Sequence, residues 1–419
     1  MTKPNGPFKA PRPLSQGAST HLDFIRTVAA WAVMWSHLRS LFFEDMPAVH
    51  SKNVLVKLFY LVTGFGHQSV IVFFVLSGFL VSSAALARLA VGRLSLRDYG
   101  IDRLSRLWVV LIPGLLLGCG WDRLGLLLFG HSGLYARPIE AIGGAVVVAR
   151  MSFTTFLGNS LFLQNILCQP FGSNGPLWSL TNEFWYYVLF PLLLLACVAA
   201  ISRKWKSALG LFCITIAVLL FLTPQIRESF LIWLSGCALV FIYAHALPRR
   251  KNTGIMLFTA CLTLCGALGV TRLLHNHEFA SNLLLGVVFT GFLYAVLQSS
   301  KEIPKQVYAN YAKNFAGFSF SLYVLHFPFL LFLKGWLLPN KRWQPDLPHF
   351  LDGMLISVAA LSFAWCCSLV TERNTDFVRQ WAKAVLLAGT TRARAASHPL
   401  SLPVPQPRND FVTDLQPHH

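Results

Sequence analysis

The chain has 419 residues, of which 55% are hydrophobic and only 12% are charged. This composition excludes an ordinary soluble protein of two or three domains and is typical of a polytopic membrane protein. The formal charge of +18 would suit a nucleic-acid-binding protein, but the basic residues lie mainly beside apolar spans. We therefore expect a lipid bilayer, and no nucleic acid, as the partner.

About ten apolar spans predict an all-α, polytopic integral membrane helical bundle. If the N-terminus is cytoplasmic, the inner segments hold roughly twice as many Lys and Arg as the outer ones, as the positive-inside rule requires. We expect a multi-pass protein of the inner or plasma membrane with both termini cytoplasmic. The spans cover approximately residues 21–40, 68–87, 106–128, 181–200, 207–223, 229–247, 254–272, 281–299, 315–337 and 351–371.

The two ends of the chain are polar. Residues 1–20 contain Pro and Gly, which predicts a flexible cytoplasmic arm without a cleavable signal peptide. Residues 373–419 begin basic and become rich in Pro, so we expect a mostly disordered cytoplasmic tail. The functional part is then the transmembrane domain, residues 21–372.

The first span carries two ionisable side chains, Arg26 and His37. A helix places them on one face, about 16 Å apart along its axis. Ionisable groups inside a membrane are costly unless they face a cavity or a partner, and a histidine can transfer a proton or act as a nucleophile. This face is a candidate catalytic surface, with snorkelling or packing of His37 as the alternative.

The second span contains Ser77 and Gly78, small residues that favour close helix packing. The basic loop after it leads to Arg103 and Arg106, about one turn apart at the start of the third span. The positive-inside rule alone explains arginines there. Guanidinium groups also bind phosphate in a bidentate manner, so the pair is a candidate clamp for a cytosolic donor.

The longest segment between spans, residues 129–180, contains a moderately apolar run at 141–162. A further crossing there would place the basic cluster at 203–206 outside, so we predict an interfacial or re-entrant element before the fourth span.

The fourth span carries Glu183 and Tyr187 near its predicted outer end, at the depth of His37. A carboxylate there would orient His37 and stabilise its imidazolium, as in hydrolase triads. The ninth span places Ser319, Tyr323 and His326 on one face. These residues form either an interhelical hydrogen-bond network or a substrate-orienting surface. Spans five to eight hold few polar groups and are predicted to be scaffold.

In this order the motifs resemble those of the acyltransferase family 3 membrane proteins, over about residues 20–372. Leu22-Asp23, Arg26 and His37 are similar to the family's LDxxR opening and R-x10-H pattern. The remaining motifs follow in the family's order. They are the FFVLSGFL stretch, the Arg103–Arg106 pair, the FLQN element, the LWSL element with Trp178, Glu183 with Tyr187, and SFSLYVLH. Phe24 and Ser69 stand where the family usually has glycine.

The resemblance implies acyl-CoA, by family frequency acetyl-CoA, as cytoplasmic co-substrate. It also implies O-acetylation of a cell-surface or exported carbohydrate, that is, polysaccharide modification. Arg103 and Arg106 would bind the CoA phosphates, and His37, oriented by Glu183, would act as general base or carry the acyl group. Substrate orientation or oxyanion stabilisation is assigned to Arg26, Trp178, Tyr187, Ser319, Tyr323 and His326.

Some members of the family carry an additional SGNH-type domain, which we do not find. The acceptor is then expected to reach the membrane domain directly or through a separate envelope partner protein. No metal-ligand spacing, P-loop or dinucleotide fingerprint occurs, so neither a metal nor a permanently bound cofactor is predicted.

The competing hypothesis is a transporter or flippase for a glycan or lipid intermediate, because such proteins also place ionisable residues in the membrane. It predicts inverted repeats and broken helices in matching halves, which the sequence does not show. A purely structural role leaves unexplained why polar residues gather in spans one, three, four and nine.

Overall fold

The computed structural model describes residues 10–130, 134–136, 138–139, 144, 146–245, 252–273, 278–300 and 305–397. Within them the regular structure is helical, with isolated β-bridges as the only strand-like pairing, so the predicted all-α fold is confirmed. The described helices are α1 (Gln16–Phe42), α2 (Val54–Val62), α3 (Gly66–Ala90), α4 (Leu96–Phe129), α5 (Phe153–Ser160), α6 (Trp178–Ile201), α7 (Trp205–Phe221), α8 (Pro224–His245), α9 (Thr253–Leu273), α10 (Glu278–Ser299), α11 (Gln306–Ala316), α12 (Ser319–Leu337), α13 (Leu347–Val370) and α14 (Thr375–Ser397).

In the described part of the chain, 8 helical segments are long and apolar enough to cross a membrane. They include α3, α4, α6, α8, α9, α10, α12 and α13. The two other predicted spans correspond to α1, whose body carries Asp23, Arg26 and His37, and to α7, which has only 17 residues. The predicted count of about ten membrane spans is therefore not confirmed, but the prediction of a multi-pass membrane protein is confirmed.

Both ends of the chain are more helical than the sequence analysis predicted. The first helix begins at Gln16, within the predicted arm, because the Ser15 side chain caps it by accepting the Ala18 N–H at 3.1 Å. Residues 1–9 lie outside the described residues.

The disordered tail predicted from residue 373 is wrong for residues 375–397, which form α14. Its apolar residues Phe377, Trp381 and Val385 recur at helical spacing, a periodicity that the composition of the whole tail obscures. Residues 398–419 lie outside the described residues.

The segment before α6 folds back into the bundle. Its described part holds only short helices between residues 146 and 177. The Asn174 side chain donates to the Val324 carbonyl of α12 at 3.0 Å, and the Gln164 side chain donates to the Leu177 carbonyl at 3.0 Å. Asp122 of α4 accepts the Ser173 N–H at 2.8 Å. Helix α6 therefore starts among buried residues, inside the bundle and not at its edge.

Helix α3 lies at the centre, packed against α1, α8 and α10. Its crossing with α8 is close: a Cβ on Gly78 would lie 2.0 Å from the Trp233 carbonyl oxygen, and one on Gly236 would lie 2.1 Å from the Val75 carbonyl oxygen. Only glycine permits this approach. We call the end where α3 ends and α4 begins the basic end, and the end where α1 ends and α3 begins the opposite end.

Candidate active site

A narrow cleft of about 100 Å³ lies between α1, α3, α4, α6 and α12, and we call it the arginine cleft. It brings together polar side chains from five helices that are far apart in the sequence. They are Arg26, Ser77, Arg103, Arg106, Ser179, Glu183, Tyr187, Ser319 and Tyr323.

Ser77 is held at the centre of the cleft by the close crossing of α3 and α8. The Trp233 indole of α8 donates to the Ser77 hydroxyl oxygen at 3.2 Å, and this hydroxyl donates to Glu183 Oε1 at 2.9 Å. The Tyr187 hydroxyl, one turn further along α6, donates to the same carboxylate oxygen. Glu183 is therefore fixed by two hydroxyl groups, one from its own helix and one from α3.

The arginines of the cleft retain capacity for an anion. The Arg103 guanidinium lies over the Tyr187 ring, 5.7 Å from its centroid, and its Nε is buried without a hydrogen-bond partner in the described chain. Among the described residues, neither Arg103 nor Arg106 forms a salt bridge with a carboxylate. Arg26 differs, because Asp23 accepts from its Nη2 at 2.8 Å. Arg103 and Arg106 are therefore the two guanidinium groups of the cleft without a carboxylate partner among the described residues.

Tyr323 of α12 connects the cleft to a pair of histidines. Its hydroxyl donates to the Pro176 carbonyl at 2.6 Å and lies 2.5 Å from the Ser179 hydroxyl oxygen. The His326 ring lies one turn further along α12, with its centroid 6.1 Å from that of Tyr323. The His37 ring of α1 stacks on His326 with centroids 5.1 Å apart.

The hydrogen bonds of the pair define its tautomers. His326 Nδ1 lies 2.9 Å from the carbonyl oxygens of Leu322 and Tyr323. Carbonyls only accept, so this nitrogen carries the proton and His326 Nε2 is an acceptor. His37 Nδ1, 2.8 Å from that Nε2, must donate to it. In the neutral pair His37 Nε2 therefore keeps its lone pair, as a general base or nucleophile requires.

The structure corrects one predicted pairing. Glu183 does not orient His37: it binds Ser77 and Tyr187 in the arginine cleft, and His326 orients His37 instead. The physical reason is that α6 begins inside the bundle, so Glu183 lies beside Arg103 and not at the predicted outer end. Tyr187 is displaced from the predicted outer end in the same way, because it lines the arginine cleft together with Arg26, Ser319 and Tyr323.

Trp178, predicted to orient substrate, lies outside the arginine cleft. Its ring stacks on His67 at the start of α3, with centroids 6.2 Å apart and an interplanar angle of 20°. Because Ser179 faces the arginine cleft, the first two residues of α6 face different cavities.

The sequence analysis missed two polar residues at the site. Ser77 was interpreted as a packing residue, although its position beside Gly78 brings a hydroxyl against α6. Glu372 was not considered, yet its carboxylate accepts both the N–H and the hydroxyl of Ser321 at 2.9 Å and so anchors the start of α12. A carboxylate directly after an apolar span was the available signal.

No group of three or more His, Cys, Asp or Glu in the described residues is placed to hold a metal ion. The arrangement instead offers two guanidiniums without a salt bridge to a described carboxylate, a hydroxyl-bound carboxylate and a histidine with a free imidazole nitrogen. In an apolar helical bundle, these define a multi-pass membrane protein with a buried polar site that is a candidate for catalysis.

The comparisons identify the class of chemistry. The family model described as an acyltransferase domain matches residues 20–371. The chain therefore belongs to acyltransferase family 3 and is a membrane acyltransferase. No curated protein and no solved structure matches the chain.

Proposed function

We propose that the protein transfers an acyl group, in the simplest case acetyl, from cytoplasmic acyl-CoA to a hydroxyl of a cell-surface or exported carbohydrate. The observation that carries the proposal is the arginine cleft, where unpaired Arg103 and Arg106 meet the Glu183 hydroxyl network beside Tyr323 and the histidine pair. The excess of Lys and Arg in the predicted inner segments supports a cytoplasmic basic end and cytoplasmic termini.

Arg103 and Arg106 bind the phosphates of the donor in this proposal. The pantetheine arm then passes Arg26, which can stabilise negative charge on the thioester oxygen as it develops. A cleft of about 100 Å³ is narrower than this arm, so we expect the surrounding side chains to move apart when the donor binds.

His37 acts through Nε2. As general base it takes the proton of the acceptor hydroxyl while that oxygen attacks the thioester carbon. The carbon–sulfur bond then breaks, and the proton passes from His37 to the CoA thiolate. Alternatively, His37 itself carries the acyl group briefly. Both routes need the free lone pair that His326 secures.

The test uses purified full-length protein in detergent and radiolabelled acetyl-CoA. Loss of two charge-assisted contacts in Arg103→Ala/Arg106→Ala should raise the Kd for acetyl-CoA by about 10- to 100-fold. The matched control is Arg97→Ala, an exposed arginine at the start of the same helix, whose Kd should stay within about twofold of the wild type.

An unchanged Kd in the double variant would contradict the phosphate clamp. The transfer itself is measured as label in an extract of envelope glycans together with release of CoA. A protein that binds acetyl-CoA but never cleaves it in the presence of that extract would contradict acyl transfer and favour a transporter.

A further inference from the structure

Two adjoining cavities of about 580 and 320 Å³ lie at the opposite end of the bundle. They share His67, Glu278 and Asn282, and together we call them the distal cavity. Ends of α1, α2, α3, α6, α8, α9 and α10 line it. The distal cavity has room for a sugar residue or more, in contrast to the narrow arginine cleft.

One part of the distal cavity holds two arginines without carboxylate partners in the described chain, Arg39 and Arg272. The Arg39 guanidinium lies 5.2 Å from the centroid of Tyr60, and its Nε is buried without a hydrogen-bond partner among the residues that the structure describes. The Arg272 guanidinium lies 4.4 Å from the centroid of Phe65, and its Nη2 donates to the Leu61 carbonyl at 2.8 Å. Aromatic rings and one carbonyl position both groups, and no described carboxylate lies within salt-bridge distance of either.

The position of Arg272 depends on the turn between α2 and α3. A Cβ on Gly64 would lie 2.2 Å from Arg272 Nη2 and 2.8 Å from the Tyr60 carbonyl oxygen. Glycine therefore leaves the space that this guanidinium occupies. The Arg272 guanidinium is therefore held in a space of matching shape and does not simply extend from the surface.

The other part of the distal cavity has a different chemistry. His67 Nε2 lies 3.0 Å from Asn282 Oδ1 and 3.8 Å from Glu278 Oε1, and Glu228 also lines this part. The Trp178 ring supplies an aromatic face. Amide, carboxylate and aromatic groups of this kind bind sugar hydroxyls and sugar rings. Glu278 lines both parts of the distal cavity, whereas Glu228 lines only this part and disfavours an anion here.

The distal cavity adjoins the site of chemistry through the start of α6. Trp178 lines the distal cavity, and the next residue, Ser179, lines the arginine cleft and contacts Tyr323. A ligand stacked on Trp178 is therefore separated from the catalytic side chains by the first turn of one helix.

We propose that the distal cavity binds the acceptor and that this acceptor is an acidic glycan, whose carboxylate or phosphate group is held by Arg39 and Arg272. Its neutral, hydroxyl-bearing part then lies toward His67 and Trp178. The assignment of the ligand as acceptor rests on the function proposed above, but the preference for an anion rests on the two guanidiniums alone.

The experiment measures binding to the purified full-length protein by thermal unfolding and by equilibrium titration. The probes are galacturonate, glucose 6-phosphate and, as the neutral reference, galactose, each tested over the same concentration range. The variants are Arg39→Gln, Arg272→Gln and the double variant. The matched control is Arg227→Gln, which removes one charge from the same end of the bundle outside the distal cavity.

We expect at least one acidic sugar to bind about tenfold or more tightly than galactose, and this preference to fall with rising salt. It should be lost in the double variant and kept in Arg227→Gln. Stronger binding of galacturonate identifies a carboxylate ligand, and stronger binding of glucose 6-phosphate a phosphate ligand.

Equal binding of all three probes, no binding of either acidic sugar, or a preference that survives in the double variant would each overturn the inference. Acetyl-CoA affinity of the wild type is measured alongside. If the protein binds acetyl-CoA but shows no anion preference, only this inference fails. If it prefers acidic sugars but does not bind acetyl-CoA, the proposed function fails instead.

Discussion

The arginine cleft and the distal cavity each contain two guanidinium groups that have no carboxylate partner in the described part of the chain, yet they are built in different ways. The bodies of packed helices form the cleft, which holds about 100 Å³. Behind it, Gly78 and Gly236 bring α3 and α8 into backbone contact. Helix ends form the distal cavity, whose larger part holds about 580 Å³.

Their carboxylates differ as well. Glu183 is fixed by the hydroxyls of Ser77 and Tyr187, whereas the side chain of Glu278 is 73% exposed. A site with locked polar groups suits charge that develops at a fixed place during reaction. A wider site with exposed groups suits recognition of a ligand of variable shape. The comparison supports the proposals that chemistry takes place in the cleft and recognition in the cavity.

The strongest test of this division removes His37, which lies on α1 between Arg26 of the arginine cleft and Arg39 of the distal cavity. His37→Ala should lower acyl transfer by about 10²- to 10⁴-fold, the usual range for losing a general base or its equivalent. Acetyl-CoA binding, measured separately, reports whether the donor site has survived. Transfer at the wild-type rate by a folded His37→Ala protein would place the chemistry elsewhere.

Two substitutions of His326, the hydrogen-bond partner of His37, remove this contact to different extents. His326→Asn retains an amide N–H for the backbone carbonyls and an oxygen that can accept from His37, whereas His326→Ala retains neither. We expect the Asn variant to keep more transfer activity than the Ala variant, with the difference in kcat. Equal activities would show that His326 only fills space.

The next largest effect concerns how the arginine cleft is built. Gly78→Ala places a methyl group against the Trp233 carbonyl, so we expect a loss of about 1–3 kcal/mol in the free energy of unfolding. Gly210→Ala in α7 is the matched control, because its Cβ would meet nothing within 4 Å and helix propensity favours Ala by about 1 kcal/mol. The measurement is unfolding in detergent, and an unchanged Gly78→Ala protein would contradict the close crossing.

The sequence predicted those features that depend on local pattern. Apolar length identifies membrane helices, and spacing on one helix places Arg26 with His37 and Tyr323 with His326. Partners across helices depend on where each helix starts, which local pattern does not contain. The predicted position of Glu183 is wrong for this reason: the buried hydrogen bonds of Gln164, Asn174 and Asp122 set the start of α6. Asn174 and Asp122 are unremarkable polar residues in the sequence, and the FLQN element that contains Gln164 does not reveal its partner.

The distal cavity was not foreseen at all. Arg39 and Arg272 lie near the ends of two predicted spans, where a single cation is ordinary, and only the tertiary structure places both at one cavity. Helix α14 was also not predicted, because the tail was judged by its composition as a whole. The Pro-rich residues after 398 lower the apparent helical periodicity of that whole segment.

Gly64→Ala tests the distal cavity through the backbone position that leaves space for the Arg272 guanidinium. The added methyl group would displace the Arg272 guanidinium, so the preference for an acidic sugar over galactose should fall by about three- to tenfold. Gly254→Ala, whose Cβ meets nothing within 4 Å at the start of α9, serves as control. A full preference in Gly64→Ala would mean that Arg272 does not need its observed position.

The smallest expected effect tests whether the basic end contains more of the donor site than the arginine cleft. Asp102 of α4 pairs with Arg88 and Lys383 at 2.8 Å, and with Arg379 at 3.6 Å, which ties α14 to the bundle. These cations are 43%, 33% and 32% exposed, so Asp102→Asn should cost about 1 kcal/mol or less.

A loss of about 1 kcal/mol predicts that trypsin cleaves within α14 of the Asp102→Asn protein up to about fivefold faster than in the wild type. The affinity for acetyl-CoA should change by less than about twofold. Asp376→Asn is the control, because Asp376 is 79% exposed and pairs with Arg379 only within its own helix. Should the affinity fall as far as in Arg103→Ala/Arg106→Ala, the Asp102 cluster would also contact the donor. Recognition of acyl-CoA would then extend from the narrow cleft to α14, and the division between a packed site and an open one would hold only for the acceptor.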